Sequence, residues 1–180
     1  SNKISYQELR NKYNEFFKRY KNITLLDETK ETYRGINFLG CTLWGNYPIK
    51  CSRDYVNCLN HIYTKDSYSK NLTPISKEFF NNLNKKEAEW ISKNIDTDSQ
   101  NILITHYPTV IEGTSSPKWQ NEKYKTIFAN DLPFTLNKHL VAISGHTHFC
   151  YDFIDKNTGT RHIGNHMGYK NEIESGEIKF

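Results

Sequence analysis

The sequence predicts a mixed α/β fold in a single domain, and three observations carry that reading. Apolar residues recur at helical spacing in two long segments, residues 6–20 and roughly 76–95. Short apolar runs of strand length lie between and after them, at residues 36–43, 102–104 and 140–143. The 180 residues are enough for one continuous core, and no internal repeat, linker or low-complexity tract divides them.

Taken in order, Leu9, Tyr13, Phe16, Phe17 and Tyr20 give the first segment an amphipathic helical stripe. The apolar run 23–26 predicts a strand, and Arg34-Gly35 a turn into a second strand over 36–43. Gly45, Asn46 and Pro48 then open a loop. Val56, Leu59 and Ile62 suggest a short helix within 53–63. Ser76 is a natural N-cap for the next helix, whose broad apolar face holds Phe79, Phe80, Leu83, Trp90 and Ile91. Ile102, Leu103 and Ile104 form an all-apolar run, the pattern of a strand buried on both faces, which Pro108 stops. A polar loop over 112–123 leads to residues 124–136, read as two helical pieces around Pro133. The apolar run 140–143 is a second buried strand. Residues 151–154 and 160–164 read as a hairpin, and the tail 177–180 as a final strand.

Composition excludes several classes of protein. The net charge of +4 comes from 24 basic and 20 acidic side chains scattered along the chain. The densest basic group is Lys18, Arg19 and Lys21, well short of a nucleic-acid or membrane patch, and no aromatic-basic stripe accompanies it. Nucleic acid therefore enters only as a possible substrate. No apolar stretch approaches the roughly 20 residues of a membrane span. Cys41, Cys51, Cys58 and Cys150 show neither CxxC spacing nor a disulfide framework, which points to a reducing, cytoplasmic setting. The sequons at Asn22 and Asn71 would matter only in a secreted chain.

The chemistry concentrates in histidines. His106, His146 and His148 sit where apolar strands run out, and ligands in open sheets collect at the carboxyl ends of strands. In an extended H-x-H step the two imidazoles leave one face and can reach one metal ion or two adjacent ones, while the small Gly145 allows close backbone approach. His61 and His139 read as ordinary hydrogen-bonded histidines, and His162 and His166 stay ambiguous.

Residues 102–108 (ILITHYP), 143–148 (ISGHTH) and 165–169 (NHMGY) resemble the closing blocks of the calcineurin-like metallophosphoesterases. Residues 35–44 (GINFLGCTLW) and 116–132 (SPKWQNEKYKTIFANDL) resemble further segments of that family, so the likeness covers essentially the whole chain. It implies mixed β-sheets packed together and flanked by helices in αββα layers. It also implies hydrolysis of phosphate mono- or diesters at a dinuclear centre of two divalent metal ions about 4 Å apart. Carried over by motif, His106 and His146 would bind one ion and His148 the other.

The family's opening D-x-H, GD and GNH blocks have no counterpart ahead of Gly35. Gly164-Asn165-His166 spells GNH but falls after the GHTH block and matches the terminal block instead. The chain thus reads as one domain, 1–180, lacking its first strands and helices, with one apolar face or edge uncovered and the metal carboxylates missing. Impaired activity is the expectation, with a non-catalytic scaffold or binding module on the same fold as the alternative. The loop 112–123 is expected to border the pocket for a phosphate-ester substrate.

Overall fold

A computed structural model describes residues 3–48, 50–52, 58–66, 71–119, 122–132, 136–170 and 172. The protein is a mixed α+β structure built on a six-stranded sheet, with a small two-stranded antiparallel sheet beside it and flanking helices.

Helix α1 (Tyr6–Phe17) starts on a capping box. The Ser5 hydroxyl accepts the Glu8 amide while the Glu8 carboxylate accepts the Ser5 amide, satisfying two otherwise unpaired donors. It ends three residues before the sequence suggests, because the chain tightens into i→i+3 bonds from Arg19 and Tyr20. No α1 side chain is fully buried, and Leu9, Tyr13, Phe16 and Tyr20 are each more than 40% exposed.

The run 23–26 is not a strand. The strand is the polar segment β1 (Thr29–Tyr33), antiparallel to β2 (Ile36–Cys41) through the two-residue turn Arg34-Gly35. Both turn residues have positive φ, the signature of a type I′ hairpin. An exposed edge strand needs no apolar alternation, so apolar patterning passes over it. β2 also stops short of Leu43, whose φ is +50° and whose amide turns to the Glu87 carboxylate.

Helix α2 (Cys58–His61) occupies part of the region expected to be helical, and residues 53–57 lie outside the described ones. β3 (Tyr63–Lys65) and β4 (Leu72–Pro74) pair into the small sheet, which the sequence reading did not anticipate. α3 (Lys77–Asn94) follows expectation closely. Ser76 caps it by accepting the Phe79 amide, and Phe80, Glu87 and Ile91 are buried on its inner face.

The strand order of the large sheet is β1-β2-β5-β6-β8-β7, with β5 (Asn101–Thr105), β6 (Leu140–Ser144), β7 (Tyr151–Ile154) and β8 (Arg161–Gly164). β2, β5, β6 and β8 run parallel, and β7 closes an antiparallel hairpin on β8. Residues 124–132 form one short 3₁₀ turn, Lys125–Ile127, rather than an α-helix. Residues 133–135 and the expected strand at 177–180 lie outside the described residues.

Alternation along the strands puts Leu39, Leu103, Leu140 and Cys41 against Ile91 of α3 in one core. A second core gathers Trp44, Tyr47, Phe80 and Tyr107. The other face of the sheet is less covered. Ile104 is 40% exposed, and Ile102, Val141 and Ile143 are half-buried, so β5 and β6 are not buried on both faces as their composition suggests. Leu26 lies on that side, where a Cβ on Gly40 would come within 2.5 Å of its own Cβ.

Candidate metal centre

The register of the parallel strands brings the histidines together. Cys41 of β2, Thr105 of β5 and Ser144 of β6 lie side by side, so the residues after them leave the sheet together. The ladder runs one step further: the His106 amide donates to the Thr42 carbonyl at 3.1 Å, and the Gly145 amide to the His106 carbonyl at 3.0 Å. Behind this rim the buried Asn130 donates to the Leu43 and Pro108 carbonyls and accepts from Asn84. Loops that carry functional groups are thereby tied to the sheet rather than left to float.

His106 Nε2 and His146 Nδ1 stand 3.1 Å apart. The His146 ring lies over Tyr107 at 4.0 Å between centroids and stacks on Phe128 at 5.9 Å, and its Nε2 is buried without a hydrogen-bond partner. Burial, reinforced by His106, His148 and His166, pushes the His146 pKa down to about 3. Burial, with His148 adding to it, also lowers His106. Both imidazoles are therefore neutral near neutral pH, the form that binds a metal.

His148 makes contacts of its own beside the pair. Its Nδ1 is 2.8 Å from Glu172 Oε2, and the Tyr169 ring packs edge-on against it at 4.6 Å. The H-x-H step is not extended: His146 and His148 have φ of +71° and +52°, so alternation does not put both rings on one face. Thr147 between them donates to the Thr114 carbonyl at 2.6 Å. Gly145 does not earn its place by allowing close approach, since a Cβ there would meet His106 only at an ordinary 3.5 Å.

A cavity of about 440 Å³ opens in front of His146, Thr147 and His148. The loop expected to border it does so, through Glu112, Gly113, Ser115, Trp119 and Glu122, with Phe128 and Lys125 completing the wall. The volume is that of a small-molecule site.

Of the two ambiguous histidines, His166 belongs near this centre. It is 6% exposed, its Nε2 is 3.0 Å from the Ser144 carbonyl, and its charge bears on His146. His162 is a core residue, 2% exposed and stacked on Phe153 at 5.1 Å. Glu172 is the participant that sequence reading missed. It belongs to no motif, and only the chain's return toward the GHTH loop brings it to His148. Among the described residues, no group of three or more His, Cys, Asp or Glu side chains is gathered so as to hold a metal ion. Nor is any helix among them long and apolar enough to cross a membrane.

Fold and site together define an α+β protein with a histidine pair at neighbouring strand ends beside a cavity. The chain is 28% identical over 163 residues to the "Uncharacterized protein L509" of Acanthamoeba polyphaga mimivirus, a match covering 85% of this chain and 57% of that protein. The chain thus spans less than two thirds of its relative's length. No family model matches it, and no solved structure matches it.

Proposed function

We propose that the chain is part of a metal-dependent phosphoesterase of the calcineurin-like type, with His106, His146 and His148 as ligands. The finer αββα arrangement and a reducing, cytoplasmic setting belong to the same proposal, the latter in keeping with free thiols at Cys41, Cys51 and Cys150.

The observation that carries the reading is the 3.1 Å separation of His106 Nε2 and His146 Nδ1. Two imidazole nitrogens bound to one ion at about 2.0–2.1 Å lie roughly 3 Å apart when the angle between them is near 100°. The pair therefore fits one divalent ion with little rearrangement. Such an ion, when bound, polarises a phosphoryl oxygen and lowers the pKa of a bound water.

The chain's own residues supply the rest of the setting. Tyr107 and Phe128 fix the plane of His146. Lys125 offers a cation on the cavity wall, and Trp119 and Phe128 an apolar surface for the leaving group. A second ion would need carboxylates, because neutral imidazoles do little to offset two dications. Among the described residues Glu112 and Glu122 line the cavity and Glu172 contacts His148, but no carboxylate is gathered with the histidines into a group of three or more able to hold an ion.

That shortfall favours a second reading, a non-catalytic binding module on the same fold. Zinc titration of the chain, together with manganese-supported hydrolysis of bis(p-nitrophenyl) phosphate, separates the two. The expected result is one ion held weakly by His106, His146 and His148 together, lost in His106→Ala and His146→Ala, with turnover far below the ~10 per second of a typical enzyme. Zinc binding with no turnover at all favours the module. Zinc binding that ignores both substitutions, or its absence, sinks the metal reading.

A further inference from the structure

His148 and Glu172 form a unit that the ligand assignment alone does not explain. Glu172 Oε2 accepts the Tyr169 amide at 2.7 Å and lies 2.8 Å from His148 Nδ1. An ionised carboxylate can only accept, so Nδ1 must carry the proton of this contact. In the neutral ring that leaves Nε2 as the lone-pair nitrogen. The backbone at His148 is in the left-handed region, at φ +52°, which is uncommon for a residue other than glycine. The edge-on Tyr169 ring and the Glu172 carboxylate hold it from the side, while His148 itself lines the cavity.

We propose that Glu172 is the positioning residue of the metal centre: it fixes His148 in its Nδ1–H tautomer and so presents Nε2 as the ligand atom. This rests on the metal-centre reading above. A carboxylate behind a ligating imidazole sets both the ring's orientation and its tautomer, and losing it typically weakens metal binding about 10–100-fold. Free imidazole side chains prefer the opposite tautomer, so the contact has something to do even before a metal arrives. Glu172 touches neither ion nor substrate in this assignment. It acts through His148.

The test has two readouts. Long-range ¹H–¹⁵N correlation at about pH 8, where an ordinary histidine is neutral, reports which nitrogen of His148 is protonated in the metal-free chain. The wild-type chain is expected to show Nδ1–H, and Glu172→Ala to move toward Nε2–H. Glu172→Gln retains a carbonyl acceptor and is expected to keep the wild-type tautomer. Zinc affinity, measured by titration, should then fall about 10–100-fold in Glu172→Ala and less in Glu172→Gln.

An Nε2–H tautomer in the wild-type chain overturns the proposal with no variant needed. So does a Glu172→Ala chain with unchanged tautomer and unchanged zinc affinity, and in that case the metal-centre reading still stands. A wild-type chain with the expected tautomer and no zinc binding overturns both together, and the tautomer result shows that the reading beneath, not the contact, was at fault.

Discussion

On the α3 side of the central sheet, Leu39, Leu103, Leu140 and Ala142 are at most 4% exposed. On the opposite side of the same strands, Ile104 is 40% exposed and Ile102, Val141 and Ile143 are half-buried. The residue types are equally apolar on both sides. What differs is the layer above them: α3 covers one face, while Leu26 is the contact identified at Gly40 on the other. Parallel strands are ordinarily covered on both faces. Composition therefore states what a face is able to bury, and the partner layer decides whether it does. The histidine pair sits at the ends of these strands and inherits its placement from the packed side.

The largest expected effect comes from adjacent residues that point to opposite faces. Leu103→Ala removes a fully buried side chain and should cost about 3–4 kcal/mol, within the usual range for a core leucine. Ile104→Ala, one residue on, removes a side chain already 40% exposed and should cost about 1 kcal/mol. Urea unfolding of both variants measures the difference. Equal costs would mean that the open face is covered in solution, and the comparison would break.

The packed side also holds a buried carboxyl group. Glu87 is 0% exposed; one of its oxygens accepts the Leu43 amide and the other has no partner. Burial raises its pKa from 4.5 to about 7. The folded protein then holds more protons than the unfolded chain between those values, so this group's contribution to stability falls as pH rises through them, by about 3 kcal/mol in all. His146 works in the opposite sense. Its pKa is lowered to about 3 from 6.5, so its contribution is fully present above 6.5 and is lost as pH falls toward 3. Between about pH 4.5 and 6.5 the two slopes oppose each other. Glu87→Gln should remove one of them, leaving stability that climbs steadily over that range and exceeds wild type at about pH 8. Thermal melts across pH check this. An unchanged profile would show that Glu87 stays ionised and that the packed side tolerates its charge.

The sequence was legible where local chemistry decides structure. Ser76 starts α3, and Pro108 ends the β5 segment in the sequence reading and lies just beyond the strand in the structure. His106 directly follows β5, and His146 and His148 lie in the loop after β6, as their neighbours predict. It misled where the partner layer decides. The stripe from Leu9 to Tyr20 has helical spacing but lies largely in solvent, and the polar β1 pairs with β2 through its backbone and a Thr32–Asn37 side-chain hydrogen bond. Left-handed φ at His146 and His148 cannot be read from residue type, since neither is glycine, and it changes where both rings point. Glu172 comes to His148 across 24 residues of chain, a contact that no spacing rule encodes.

The smallest effect probes how closely the open face is covered. Gly40 belongs to that face, and a Cβ added there would meet the Cβ of Leu26 at 2.5 Å and the Ile104 carbonyl at 3.3 Å. Neither is the yielding tip of a long side chain, so the segment carrying Leu26 or the strand itself must shift. Gly40→Ala should therefore cost about 1–2 kcal/mol, where an unobstructed strand position would gain from the same change. Pairing it with Leu26→Ala makes the test specific. Removing most of the leucine side chain still leaves its Cβ in place, so only part of the penalty should be relieved. Full relief would locate the clash in the outer leucine carbons and mean that the segment holding Leu26 moves easily over the sheet. No relief at all would leave the whole strain on the two contacts that the double variant retains, the Leu26 Cβ and the Ile104 carbonyl, and show that the outer leucine carbons add nothing to it.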